Sequence, residues 1–334
     1  MENIISVNGL CIGYRSGRKK RTLLPPVSAS AKKGELIAVI GRNGSGKSTL
    51  LRTIMGIQAS LGGNVMIGDR DINDYSKNEL ARKAGYVSTE RIDASNMNVL
   101  DLVALGRFPH SDWSGRNDPD GDHAIESALE KTGMTGFSSR YVSELSDGER
   151  QRAMIARALA QETDILILDE PTAFLDISGR YEIIHLMARL AREGRTILFS
   201  THDFNIAISQ ADKIWFINRN AFTEGAPEDL MLSGAFNELF DPSIMNFNAS
   251  DGTFALKIEK KGRIAVAGDG TVKEWTIRAM TRAGYEACEG TTLPYIKTPG
   301  RENEKWIYVS EQVTAGFDSI YALVEWMLKG NCPI

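Results

Sequence analysis

Residues 41–49 read Gly-Arg-Asn-Gly-Ser-Gly-Lys-Ser-Thr, and the rest of the chain is read from this run outward. It satisfies G-x-x-x-x-G-K-[ST], the pattern of a phosphate-binding loop. Before it, residues 36–40 (Leu-Ile-Ala-Val-Ile) are continuously apolar and predict a fully buried strand. After it, residues 48–55 predict a helix. Strand, glycine-rich loop and helix are the context the motif needs. Gly41, Gly44 and Gly46 let backbone N–H groups converge on phosphate oxygens, and the helix N-terminus adds a positive partial charge. Asn43, Ser45 and Thr49 belong to the same cradle. Lys47 is expected to clamp the β- and γ-phosphates of ATP, and Ser48 to supply a hydroxyl ligand to Mg2+.

The chain has 334 residues, enough for two domains. Its 42% hydrophobic and 25% charged residues are ordinary for a globular protein. A net charge of −4 gives no reason to expect a nucleic-acid partner. No apolar run approaches the ~18–20 residues of a membrane span. The N-terminus lacks the layout of a secretory signal. Cys11, Cys288 and Cys332 are few and far apart, which fits a reducing cytoplasm and no metal site.

Two further stretches carry chemistry. Residues 145–151 (Leu-Ser-Asp-Gly-Glu-Arg-Gln) precede a helical pattern at 152–160. Ser146 with Glu149 three residues on makes a capping box, and Ser146 and Gly148 at a helix start also suit an anion. Residues 165–172 (Ile-Leu-Ile-Leu-Asp-Glu-Pro-Thr) predict a buried strand ending in two carboxylates, at the strand end where doubly wound sheets bind ligands. Adjacent acids repel unless a cation or a reaction uses them. Asp169 is read as binding Mg2+, mostly through water, and Glu170 as polarising the attacking water. Residues 195–200 predict another buried strand that ends at His202, which places this His near the γ-phosphate. Tyr14 is either a core aromatic or a platform for a base ring, and alone it is more often core.

Several shorter readings fill the chain between these landmarks. Residues 15–21 are a basic turn, and 62–71 a turn and short strand. Residues 80–87 form a second buried element. Val99, Leu102 and Val103 have helical spacing, with Gly106 as the stop. Residues 110–121 read as a loop. Helices are expected at 123–132, stopped by Gly133, and at 181–192, with a strand at 213–218.

Taken together and in this order, Tyr14, the phosphate loop, residues 145–151, the Asp-Glu strand, Leu175-Asp176 and His202 resemble the nucleotide-binding subunit of an ATP-binding cassette (ABC) transporter. The resemblance covers residues 1–245, with a helical subdomain at about 90–160. It implies an α/β fold of the P-loop NTPase type and an ATPase. Two copies would pack head to tail, with each ATP between the phosphate loop of one and Ser146 and Gly148 of the other. Asp176 would lie at that interface, Tyr14 would stack on adenine, and dimer closure would move integral membrane permease subunits. Residues 98–110 resemble the branch that imports iron-siderophore, haem or cobalamin-type metal chelates. That branch works at the cytoplasmic face of the membrane with a periplasmic or extracellular substrate-binding protein. Two positions depart from the family. Thr89 stands where Gln usually contacts Mg2+, a role expected to pass through water to Thr89 or Glu90. Asp147 stands where Gly is frequent, and is expected to point away from phosphate and favour the helix N-terminus.

Residues 240–251 look like a linker. Residues 250–334 predict a small α/β domain of their own: strands at 253–258, 263–267 and 306–310, and helices at 272–283 and 317–328. Between strand and helix, Gly268-Asp269-Gly270 lacks the third glycine of a dinucleotide fingerprint and reads as a plain turn. This domain matches no family on sequence reading and is either a regulatory sensor, a dimer contact or a stabilising appendage. The competing class is a soluble ABC ATPase not coupled to transport. DNA-repair types carry a long coiled coil and translation types two cassettes, and neither feature is present.

Overall fold

The computed structural model describes residues 2–17, 19–90, 96–111, 118–218, 221–239, 245–248, 252–301 and 304–331. The chain forms two compact units, Met1–Pro242 with Phe247–Thr253, and Ser243–Asn246 with Phe254–Ile334.

The first unit is built on a six-stranded sheet in the order Ala221–Gly225, Lys213–Asn218, Leu36–Gly41, Thr196–Thr201, Ile165–Leu168, Ala84–Val87. All neighbours are parallel except the antiparallel edge strand Ala221–Gly225. The central strands are continuously apolar because both faces are covered. Their alternating side chains go to two different cores. Leu36, Ala38, Ile40, Leu166, Leu168, Ile197 and Phe199 face a helical core that includes Ile155, Leu159, Ile183 and Met187. Ile37, Val39, Ile165, Ile167 and Leu198 face the other core, with Ile5, Val7 and Val65 of a four-stranded antiparallel sheet and Leu50, Leu51 and Ile54 of the helix Lys47–Ile54. The period of two in a strand thus binds three layers together.

The helical subdomain contains Val99–Ala104, Gly121–Lys131 and Asp147–Ala160. Capping boxes start the first and last of these: Asn98 with Asp101, and Ser146 with Glu149. The last begins at Asp147, earlier than the apolar pattern suggested, because the cap and not the first apolar residue sets the start. Asp176 likewise caps Ile177–Arg192, which starts ahead of the expected 181. Gly106 does not stop its helix through a left-handed turn. A Cβ there would lie 2.0 Å from the Arg157 carbonyl oxygen, so the glycine admits close helix packing. Gly133 does end its helix, at φ 68°. Residues 80–87 divide between the helix Lys77–Ala81 and the strand Ala84–Val87. Residues 112–117 of the expected loop, and most of the expected linker at 240–251, lie outside the described residues.

The second unit has a five-stranded sheet in the order Tyr285–Glu289, Gly262–Ala267, Tyr295–Lys297, Trp306–Val309, Thr314–Phe317. The first three strands are parallel and the last two antiparallel. The helix Gly270–Arg282 buries Thr276, Ala279 and Met280, and Ile320–Trp326 buries Leu323, around Ile264, Ile296 and Tyr308. Three of its strands escaped the sequence reading. Tyr285–Glu289 and Thr314–Phe317 have only one fully buried residue between them, and Tyr295–Lys297 is three residues long.

Candidate nucleotide site

The site lies at the carboxyl ends of three adjacent parallel strands, Leu36–Gly41, Thr196–Thr201 and Ile165–Leu168. The loop between the first strand and the helix Lys47–Ile54 turns on Gly44 (φ 76°) and Gly46 (φ 100°), conformations that carry little penalty only in glycine. A Cβ on Gly41 would meet the Ile217 carbonyl at 2.6 Å and Ser45 Oγ at 2.8 Å. Ser45 Oγ is buried and has no hydrogen-bond partner among the described residues. An unpaired buried hydroxyl is costly, and an oxyanion in the cradle would satisfy it.

Lys47 is buried. Its Nζ donates to the carbonyls of Gly41 (3.0 Å) and Arg42 (3.4 Å), and it lies 4.0 Å from Glu170 Oε1. Burial lowers the Lys47 pKa, with Glu170 and Asp169 opposing that shift. Polyphosphate oxygens would therefore replace weak carbonyl partners with charged ones.

The two adjacent carboxylates take opposite environments. Asp169 is buried. Its Oδ1 accepts from Ser48 Oγ (2.9 Å) and Ser200 Oγ (2.7 Å), and its Oδ2 from the Tyr86 hydroxyl (3.3 Å). Burial first, with Asp169 beside it, pushes the Tyr86 phenol up to about 12, which keeps it a donor at neutral pH. Glu170 is partly exposed and its backbone is left-handed at φ 47°, rare for a residue with a side chain. Its N–H donates to Ser200 Oγ (2.8 Å). This backbone turn separates the neighbouring acids, so one is held by three donors while the other faces Lys47.

The remaining predicted residues fall as follows. His202 immediately follows the strand Thr196–Thr201, exposed and without a hydrogen bond among the described residues. Tyr14 is 54% exposed, which rules out the core reading, and its hydroxyl is 3.2 Å from Thr49 Oγ1. Thr89 lines a cleft with Leu102, Val142, Met154 and Phe174, while Glu90 is held by Arg52 at 2.7 Å. At 145–151, Ser146 Oγ accepts from Glu149 N–H at 3.3 Å, and a Cβ on Gly148 would meet nothing within 4 Å. Asp147 sits in the first helical turn with Arg150 Nη1 at 3.0 Å. The carboxylate of Asp176 accepts from Gly179 N–H at 2.8 Å. Ser200 and Tyr86 were not anticipated. Ser200 was readable in part, as one of two hydroxyl residues, with Thr201, that end an apolar strand leading to His202.

Comparison with known proteins gives the family. The sequence profile described as "ABC transporter" matches residues 24–173, and that of the "Iron ABC transporter C-terminal domain" matches residues 261–328. An uncharacterised ABC transporter ATP-binding protein of Methanocaldococcus jannaschii is 36% identical over 86% of this chain and 99% of its own length. The iron(3+)-hydroxamate import ATP-binding protein of Bacillus subtilis is 40% identical over 61% of this chain and 75% of its own. A bacterial ABC transporter cassette solved as a dimer superposes with a TM-score of 0.58 at 27% identity, over 67% of this chain and 98% of that one. The chain belongs to the ATP-binding subunits of ABC transporters, and it is an ATPase of that family. Its second unit, which the sequence reading left without a family, is the C-terminal domain found on iron ABC transporters.

Proposed function

We propose that this subunit powers import of an iron chelate of the siderophore or hydroxamate kind, at the cytoplasmic face of a membrane. The Ser48–Asp169 pair at the mouth of the phosphate loop carries the ATPase part of the reading. The iron-transporter match of the second unit and the hydroxamate-import relative support the substrate class.

The residues take these roles. Backbone N–H groups of the loop, from Gly41 and Asn43 to Thr49, with Ser45 Oγ, cradle the β- and γ-phosphates, and Lys47 pairs with them. The hydroxyl of Ser48 and the carboxylate of Asp169 suit a hard cation that keeps water and phosphate ligands, which is how Mg2+ is usually held. Bound there, Mg2+ would neutralise charge that develops between the β- and γ-phosphates. Thr89 joins this set through water. Glu170 takes a proton from the attacking water as the new bond to γ-phosphorus forms and the bond to the bridging oxygen breaks, leaving ADP and phosphate. His202, without a hydrogen bond among the described residues, donates to the γ-phosphate. Tyr14 stacks on adenine. Ser146, Gly148 and Asp176 of a second copy complete the site across a dimer interface.

Permease subunits dock on the helical subdomain, where Leu100, Leu105 and Phe108 are exposed apolar side chains. A substrate-binding protein on the far side of the membrane delivers the chelate. No helix among the described residues is long and apolar enough to cross a membrane. The test is co-purification from membranes followed by reconstitution. An integral membrane partner, with ATPase activity stimulated by binding protein loaded with ferric hydroxamate, is the expected result. A chain that purifies alone from cytosol with full ATPase activity contradicts the transport reading.

A further inference from the structure

In the second unit, Gly268-Asp269-Gly270 forms the turn between a parallel strand and the helix that follows it. The unit's sheet order places Gly262–Ala267 between Tyr285–Glu289 and Tyr295–Lys297, all parallel. The chain leaves Gly262–Ala267 through the helix Gly270–Arg282 to reach one neighbour, then crosses to the other side. The carboxyl end of Gly262–Ala267 is therefore a topological switch point, where open α/β sheets bind ligands in the crevice beyond the strands.

Four features meet there. Gly268 (φ 141°) and Gly270 (φ 64°) form the turn, and residues 268–270 are all exposed. The helix that follows has 13 residues, and Asp269 makes no side-chain cap, so its first N–H groups lack the usual cap acceptor among the described residues. Thr298 follows the strand Tyr295–Lys297, and its N–H donates to the carbonyl of Ala267, the last residue of Gly262–Ala267, at 2.8 Å. Its Oγ1 points at the glycine turn: it lies 1.8 Å from the position a Cβ on Gly268 would occupy. Thr298 is only 4% exposed, and that hydroxyl has no hydrogen-bond partner among the described residues. A buried hydroxyl left unpaired beside uncapped helix N–H groups is a donor set lacking its acceptor.

The next strand ends in an acid. Glu289 lies about 20 residues past Gly268, the spacing at which such folds place a carboxylate for ribose hydroxyls. It is largely exposed, and Lys273 Nζ lies 2.9 Å from its Oε2. Lys273 stands where a third glycine would pack the helix against the strand in a dinucleotide fingerprint.

We propose that the second unit binds a nucleoside phosphate, independently of the cassette site. The phosphate lies over the N-terminus of Gly270–Arg282 with the Thr298 hydroxyl donating to it, and Glu289 accepts from the ribose. The cassette would then report on a second nucleotide pool.

Equilibrium dialysis of the full chain against labelled ADP should give two sites per chain, and one site in Lys47→Ala. In that variant, AMP and inorganic phosphate should both bind. Thr298→Val should weaken each at least tenfold while leaving the melting temperature equal or higher without ligand, which separates loss of the hydroxyl from unfolding. Glu289→Gln should weaken AMP about tenfold and leave phosphate unchanged. A Lys47→Ala chain that binds none of the three probes overturns the proposal. So does binding indifferent to Thr298→Val. Phosphate held as tightly as AMP, with Glu289→Gln silent, overturns the nucleoside part and leaves a bare phosphate site.

Discussion

Ser48 Oγ donates to Asp169 Oδ1 across 2.9 Å, joining the first turn of the phosphate-loop helix to the end of a strand 121 residues away in sequence. The same carboxylate accepts from Ser200 and Tyr86. Three neutral donors hold this carboxylate without supplying positive charge, which is what the proposed cation would add. Replacing Asp169 with Asn should keep most of these contacts while removing the charge. ATPase activity should fall by about 100-fold or more, and the Mg2+ concentration for half-maximal activity should rise, as expected when a charge-stabilising group is lost. Unchanged Mg2+ dependence would contradict this role.

Ser146 has two jobs that substitution can separate. It caps the helix Asp147–Ala160, and it is proposed to meet a phosphate of the second copy. Asp is as good a cap as Ser, so Ser146→Asp should alter stability by less than about 1 kcal/mol. Placing its charge against the γ-phosphate should abolish ATPase activity and ATP-driven dimerisation. Thermal melting and light scattering on the same sample would check both halves.

Tyr14 offers a similar separation. Tyr14→Phe keeps the ring and loses only the contact to Thr49 Oγ1. Stacking on a base is worth about 1–3 kcal/mol, so Tyr14→Ala should weaken ATP binding about tenfold while Tyr14→Phe stays within about threefold of the parent. Equal losses in the two variants would place the function in the hydroxyl.

Arg107 anchors the helical subdomain. Buried, it pairs with Asp118 through Nε (2.6 Å) and Nη2 (2.7 Å), and its Nη1 reaches the Ala160 carbonyl (2.8 Å) and Glu162 (2.6 Å). The Arg107 hydrogen bonds hold the Asp118 pKa below its ordinary value. A depressed carboxylate pKa contributes stability that is fully present above the unfolded value and is lost as pH falls through the folded one. Acid unfolding of the parent should therefore steepen below about pH 4, and Asp118→Asn should flatten that limb. Arg107→Met should cost about 3 kcal/mol, because it leaves a partly buried acid unpaired.

What the sequence showed and what it hid follow from the range of the interactions. The strand at 36–40, the phosphate loop and the Ser146–Glu149 cap depend on neighbours a few residues apart, and each was readable as a pattern. The environment of Asp169 depends on Tyr86 and Ser200, 83 and 31 residues away, which no local pattern marks. Gly106 was misread for the same reason, since its purpose is the Arg157 carbonyl on another helix. The left-handed backbone of Glu170 could not be anticipated, because propensity argues against it for a glutamate. In the second unit, strands with mostly exposed side chains carry too little alternation to register.

The most direct test is the oligomeric state of Glu170→Gln with and without Mg·ATP, measured by light scattering. Loss of the base should slow hydrolysis by about 100- to 10,000-fold while ATP stays bound. A shift from monomer to dimer on adding ATP is the predicted result, and it should disappear in Glu170→Gln combined with Ser146→Asp. A chain that remains monomeric with ATP bound at saturation would contradict the shared site. So would a dimer that forms equally well without nucleotide.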